Sequence, residues 1–227
     1  MPTLLPWAPE NELDVKLVDL THPLSSGMQV FPGDPQVAIG GALTIAENGV
    51  EVSALHLGSH TGTHLDAPCH SIEGGRTTSD VPLDELVGEA LVLQVPDLEA
   101  GDEIRWHHVA SQVQGNVPKI VLLATGWDRH FGTDRYLDHP VLSHAAADEL
   151  WARGMRVLAV DTLNPDRTLQ PAESFSLPVH ELVLGSDGLI VENVRHAAKL
   201  PARCTVGFFP LKLTATDGAP VRAVAWL

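Results

Sequence analysis

Apolar residues in this chain gather in short runs separated by Gly, Pro, Asn and Asp, a rhythm of strands and turns rather than of long helices. Residues 15–20 alternate weakly and predict a first strand. Residues 37–45 and 50–57 predict two more, joined at Glu47-Asn48-Gly49, where Asn-Gly is a hairpin signal. Residues 90–95, 119–125 and 156–161 are nearly continuous apolar runs, the mark of strands buried on both faces. Between the last two, Ser143 is placed to cap a helix that reaches Arg153, with Gly154 as its stop. Strand, helix, strand in that order predicts a right-handed crossover and a parallel pair. A short helix at 180–184, a strand at 188–192, and closing strands at 204–213 and 221–227 around an Asp217-Gly218 turn complete the pattern. Two proline-punctuated loops, 21–35 and 162–178, interrupt it, the second suited to shaping a pocket mouth. Residues 104–112 predict a short helical element whose His107 and His108 face solvent or stand behind other groups. The expectation is a mixed α/β domain with a β-rich core and few helices over residues 1–227, with 1–14 as an N-terminal arm.

Composition narrows the function classes. Fourteen Lys and Arg against 29 Asp and Glu give a formal charge of −15, and no basic run offsets it, which argues against nucleic acid or an anionic membrane as partner. No apolar run approaches the roughly 20 residues of a membrane span. The first residues lack the apolar stretch of a signal peptide, and two cysteines make no disulfide framework, so a reducing, cytoplasmic location is expected.

Ligand-type side chains concentrate at Gly58-Ser59-His60-Thr61-Gly62-Thr63-His64-Leu65-Asp66-Ala67-Pro68-Cys69-His70, three imidazoles and a carboxylate in one short stretch. A divalent metal of intermediate hardness takes this mixture. His64 and Asp66 point to the same side of an extended chain, their Cα atoms roughly 6.6 Å apart, and can share an ion. His60 would stand roughly 13 Å from His64 in a straight strand. A common ion therefore requires a bend, expected at Gly62. His70 follows Pro68 and needs a second bend, so proton transfer suits it better than ligation. Cys69 has the opposite parity and reads as a small buried apolar group. A surface loop merely rich in histidine is the plain alternative. Farther along, Glu192 closes an apolar strand, a costly place for a carboxylate unless it meets a salt-bridge partner or a metal. Phe31, apolar within the first loop, is either a loop anchor or a substrate contact. No nucleophile elbow, phosphate-cradling loop or dinucleotide glycine fingerprint is present, which lowers serine-hydrolase, nucleotide and redox readings.

His60-Thr-Gly-Thr-His64-Leu-Asp66-Ala-Pro-Cys-His70 resembles the H-x-G-T-H-x-D-x-x-x-H signature of the metal-dependent cyclase superfamily, which contains bacterial kynurenine formamidases and isatin hydrolases. Phe31-Pro32-Gly33-Asp34, Pro178-Val179-His180 with Val191-Glu192-Asn193, and the segment from Pro210 through Ala223 extend the likeness over roughly residues 15 to 227. The resemblance implies a swivelling β/β/α-type fold and a homodimer or tetramer. It assigns His60, His64, Asp66 and Glu192 to one ion and Asp66, His180 and Glu192 to a second, with Zn2+ the first expectation and Mn2+ the alternative. It places His70 as the proton-transferring catalytic residue and Phe31 at a substrate-binding position where the formamidases carry Trp. The implied reaction is hydrolysis of a small-molecule amide by metal-activated water, with N-formyl-L-kynurenine yielding kynurenine and formate. Opening of a lactam such as isatin or of a lactone, a polyketide-type cyclase or dehydratase reaction, and a metal-containing binding protein are the alternatives.

Overall fold

The apolar runs become the staves of one mixed sheet. The computed structural model describes residues 15–168 and 176–227, so the expected arm at 1–14 lies outside the described residues, as does part of the second proline-punctuated loop. In chain order the strands are β1 (Leu17–Asp19), β2 (Ala38–Leu43), β3 (Val52–His56), β4 (His64–Asp66), β5 (Val87–Gln94), β6 (Glu103–Ile104), β7 (Ile120–Ala124), β8 (Val141–Leu142), β9 (Val157–Val160), β10 (Leu189–Glu192), β11 (Arg203–Pro210) and β12 (Gly218–Trp226). The helices are α1 (Ile45–Asn48), α2 (Leu83–Leu86), α3 (Trp106–Val109), α4 (His144–Ala152) and α5 (Pro178–Gly185).

Eight strands form the main sheet in the order β1-β12-β11-β5-β7-β9-β10-β4. Because β4 also pairs with the first residues of β12, the sheet closes into a barrel-like ring. Strands β5, β7, β9 and β10 are parallel neighbours. Alternation along them explains why they read as unbroken apolar runs. Val92, Leu122, Ala159 and Val191 face one core with Leu20, Leu65, Phe208 and Ala223. Leu91, Leu93, Val121, Leu158 and Ile190 face a second core under Ala146 and Leu150 of α4 and Val179 and Val183 of α5. The helix between β7 and β9 starts as expected, with the Ser143 hydroxyl accepting from the Ala146 N–H.

The mixed, β-rich architecture with few helices matches expectation, and three local differences have physical reasons. The β2–β3 connection is not a two-residue turn: Thr44 accepts from the Glu47 N–H and starts the single helical turn α1, which Gly49 ends at φ 75°. The closing strand starts at Gly218 rather than at 221, because Gly218, Ala219 and Pro220 pair with Asp66, Leu65 and His64. The two-residue strands β6 and β8 are too short to leave a periodic signal, yet they pair in parallel.

Candidate metal centre

Strand β4 is the seat of the site. Its alternation sends Leu65 into the core and both His64 and Asp66 to the other face. On one edge, β10 pairs Glu192 opposite His64. On the other, β12 begins at Gly218 opposite Asp66. The bend expected at Gly62 is present: φ is +64°, and a Cβ there would meet Leu24 Cδ2 at 2.5 Å. That bend returns His60 to within 2.7 Å of Asp66. Gly218 makes room for the returning ring, since a Cβ at 218 would lie 2.8 Å from His60 Cε1. Helix α5 brings in His180 on its first turn, where Asp166 accepts from the Val179 and His180 N–H groups.

Five residues singled out in the sequence therefore converge. His64 Nε2 lies 3.3 Å from both Asp66 Oδ1 and Glu192 Oε2, and His180 Nε2 lies 3.2 Å from Glu192 Oε1 and 3.7 Å from Asp66 Oδ2. Donor atoms of His60, His64 and Asp66, and separately of Asp66, His180 and Glu192, fall within 4.8 Å of one another. Both carboxylates are buried, Asp66 at 1% and Glu192 at 5% exposure. His64 Nε2, Asp66 Oδ2 and Glu192 Oε1 are buried without a hydrogen-bond partner. Unpaired buried polar atoms of this kind are costly, and a shared cation satisfies them at once.

The far side of each imidazole supports the same fit. His64 Nδ1 is 2.8 Å from the Gly62 carbonyl, His180 Nδ1 is 2.8 Å from Asp166 Oδ2, and His60 Nε2 is 2.9 Å from Asp217 Oδ2. Each ring thus has one nitrogen anchored by a carbonyl or carboxylate and the other turned to the cluster, the arrangement that fixes a metal-binding tautomer. Electrostatics agree. Burial opposes charge on His60, yet Asp66 and Asp217 outweigh it and raise its pKa to about 9. Burial likewise works against charge on His64 and His180, and the surrounding carboxylates raise both well above the ordinary imidazole value. The donor set fits a divalent metal, one ion or two.

His70 ends a 3₁₀ turn, Pro68–His70, the second bend its position required. Its ring lies 4.1 Å from that of His60, and its Nδ1 is 3.3 Å from Asp217 Oδ2. A cavity of about 210 Å³ opens above the cluster, lined by His60, His64, His70, His180 and Glu192 on one side and by Phe31, Leu163 and Leu177 among others. Phe31 lines the cavity while packing on buried Trp127 and Tyr136, so the loop-anchor reading holds and the residue stands where a substrate contact is expected. Trp127 itself is fully buried and does not line the cavity, so the loop after β7 supports the site from behind. Cys69 is half-buried rather than buried, its thiol directed at the Thr216 carbonyl at 3.6 Å. His107 and His108 are exposed, away from this cavity. Asp166 and Asp217 were missed as site residues because each acts through a histidine distant in sequence. The only trace was a carboxylate in a loop at a strand end.

The chain matches the cyclase family model, described as "Putative cyclase", over residues 18–167. A kynurenine formamidase of Paracidovorax citrulli is 33% identical over 214 residues, covering 92% of this chain and 95% of the relative. Among solved structures, an isatin hydrolase bound to the product analogue thioisatinate superposes with a TM-score of 0.81 at 21% identity, over 94% of this chain and 93% of that one. A potential metal-dependent hydrolase with cyclase activity superposes at 0.74 with 27% identity, over 93% and 98%. Since the likeness runs along nearly the whole chain and is not confined to the histidine-rich stretch, the protein belongs to the cyclase family.

Proposed function

We propose that this chain, acting as one unit, is a metal-dependent hydrolase of non-peptide C–N bonds that cleaves the formamide of N-formyl-L-kynurenine to kynurenine and formate. The observation that carries this reading is the convergence of unpartnered His64 Nε2, Asp66 Oδ2 and Glu192 Oε1 below an aryl-sized cavity. The similarity to a kynurenine formamidase over almost the full length supports the substrate.

In this reading His60, His64, Asp66, His180 and Glu192 hold the metal, with zinc favoured by the imidazole and carboxylate mixture and manganese compatible with it. A divalent ion bound there supplies Lewis-acid polarisation of the carbonyl and lowers the pKa of water. Asp166, Asp217 and the Gly62 carbonyl keep the three ligand rings from turning. Phe31, Leu163 and Leu177 present apolar surface to the aryl ring and exclude water around it. His70, with Nδ1 held toward Asp217, carries the proton on Nε2, accepting it from water and returning it to the leaving amine nitrogen.

We further propose a cytoplasmic enzyme assembled from two or more copies of this chain. No helix among the described residues is long and apolar enough to cross a membrane. Support for assembly is the β2–β3 hairpin, whose strand residues are exposed throughout and include Ile39, Leu43, Val52 and Leu55.

The deciding experiment follows kynurenine formation from N-formyl-L-kynurenine before and after chelation, with zinc or manganese added back and isatin as the comparison substrate. Turnover abolished by chelation and restored by metal is expected. His70→Ala should then keep its metal and lose turnover. Fully metal-loaded protein that opens isatin and leaves the formamide intact would overturn the reading.

A further inference from the structure

Asp34 lines the same cavity from the loop that carries Phe31 and Pro32. Its own N–H donates to the Phe31 carbonyl at 3.0 Å, closing a turn that fixes where the residue stands. The carboxylate is half-buried, and among the described residues it has no hydrogen-bond or ion-pair partner. Burial, its largest influence, raises its pKa against the pull of His60, His64 and His70. Those imidazoles act on Asp34 only at a distance: none is within ion-pair range of it, and their paired nitrogens face Asp66, Asp217 and Glu192. Among the described residues, no lysine or arginine lines the cavity. One wall therefore carries an anionic group with no use in holding the metal, next to the apolar surface assigned to the aryl ring.

A half-buried carboxylate without a cation is poorly solvated, and a ligand that brings a cation relieves it. We propose that Asp34 determines specificity by receiving the ammonium group of an amino-acid-bearing aryl amide. This rests on the hydrolase reading above and deepens it. Neutral lactams bring no cation to Asp34, and substrates whose side chain carries only a carboxylate are repelled by it. The cavity thereby favours amino-acid formamides over simpler cyclic amides.

The test compares N-formyl-L-kynurenine with its analogue bearing hydrogen in place of the α-amino group, using metal-loaded wild type and Asp34→Asn. Equilibrium binding of L-kynurenine and deamino-kynurenine is measured alongside, with metal content and melting temperature as controls. Wild type should favour the amino substrate by about tenfold to a hundredfold in kcat/KM, the scale of one charge-assisted hydrogen bond, chiefly through KM. Asp34→Asn should lose that preference by weakening the amino substrate while leaving the deamino one unchanged or improved, with the metal retained. Equal losses for both substrates, or a wild type with no preference in either turnover or binding, would overturn the proposal. If wild type hydrolyses neither compound, the formamidase reading fails separately. The binding preference for L-kynurenine, lost or kept in Asp34→Asn, then decides the role of Asp34 by itself.

Discussion

Each imidazole of the cluster is held on its far side by a carbonyl or carboxylate, and that support is testable one side chain at a time. Asp166 accepts from His180 Nδ1 and from two backbone N–H groups of α5. Asp166→Ala should lower metal affinity by about tenfold to a hundredfold, measured by competition with a chelator, while the chain stays folded. His22 offers a second test, away from the metal. It is buried and stacked on Phe131 with ring centroids 3.7 Å apart, and burial, with help from Arg195, pushes its pKa down to about 4. The folded state keeps this ring neutral while the unfolded chain takes up a proton near pH 6.5. Stability should therefore fall as pH drops from about 6.5 to about 4, and His22→Gln should flatten that part of a denaturant-midpoint profile. At this scale much of the cluster was legible in the sequence. His60, His64, Asp66 and His70 lie in one stretch, and Glu192 betrayed itself by ending an apolar strand. Asp166 and Asp217 were not legible as site residues, and Asp34 only as part of a segment resembling the family's, since a carboxylate's partner is set by tertiary approach, which leaves no spacing to read.

Among the elements, the loop before β4 is the most constrained. Gly62→Ala should destabilise the fold by about 1–2 kcal/mol for the left-handed backbone alone, and by more because Leu24 must move. Metal loading, read by elemental analysis, should drop with it, since the Gly62 carbonyl also anchors His64. The β2–β3 hairpin poses the opposite problem, because two strands with no packed face are marginal in water. Ile45 and Leu55 are 66% and 65% exposed, apolar surface on one thin arm that supports the proposed assembly. If the proposed assembly uses this arm, Leu55→Asp should shift it toward monomer in size-exclusion chromatography with light scattering, with the melting temperature of the barrel little changed. Periodicity revealed the existence of both strands. It could not reveal that they leave the body of the sheet, because an exposed apolar strand and a buried one have the same pattern until the packing is known.

For the whole molecule, a formal charge of −15 sits around a cluster that itself gathers two buried carboxylates, so a cation belongs to the balance of the fold as well as to the chemistry. Chelation should lower the melting temperature by about 10 °C if metal is supplied at a thousandfold over its dissociation constant beforehand. Ring closure gives this dependence a kinetic side. His60 and Asp217 are 157 positions apart in the chain, and β4 joins the ring only when both β10 and β12 have arrived. Contacts of such long range form late, after most loop-closure entropy has been spent. An early folding intermediate, even one with its parallel strands in place, presents no complete donor set. Ion capture should then report a finished barrel, so metal uptake followed during refolding should count mature molecules among those still folding.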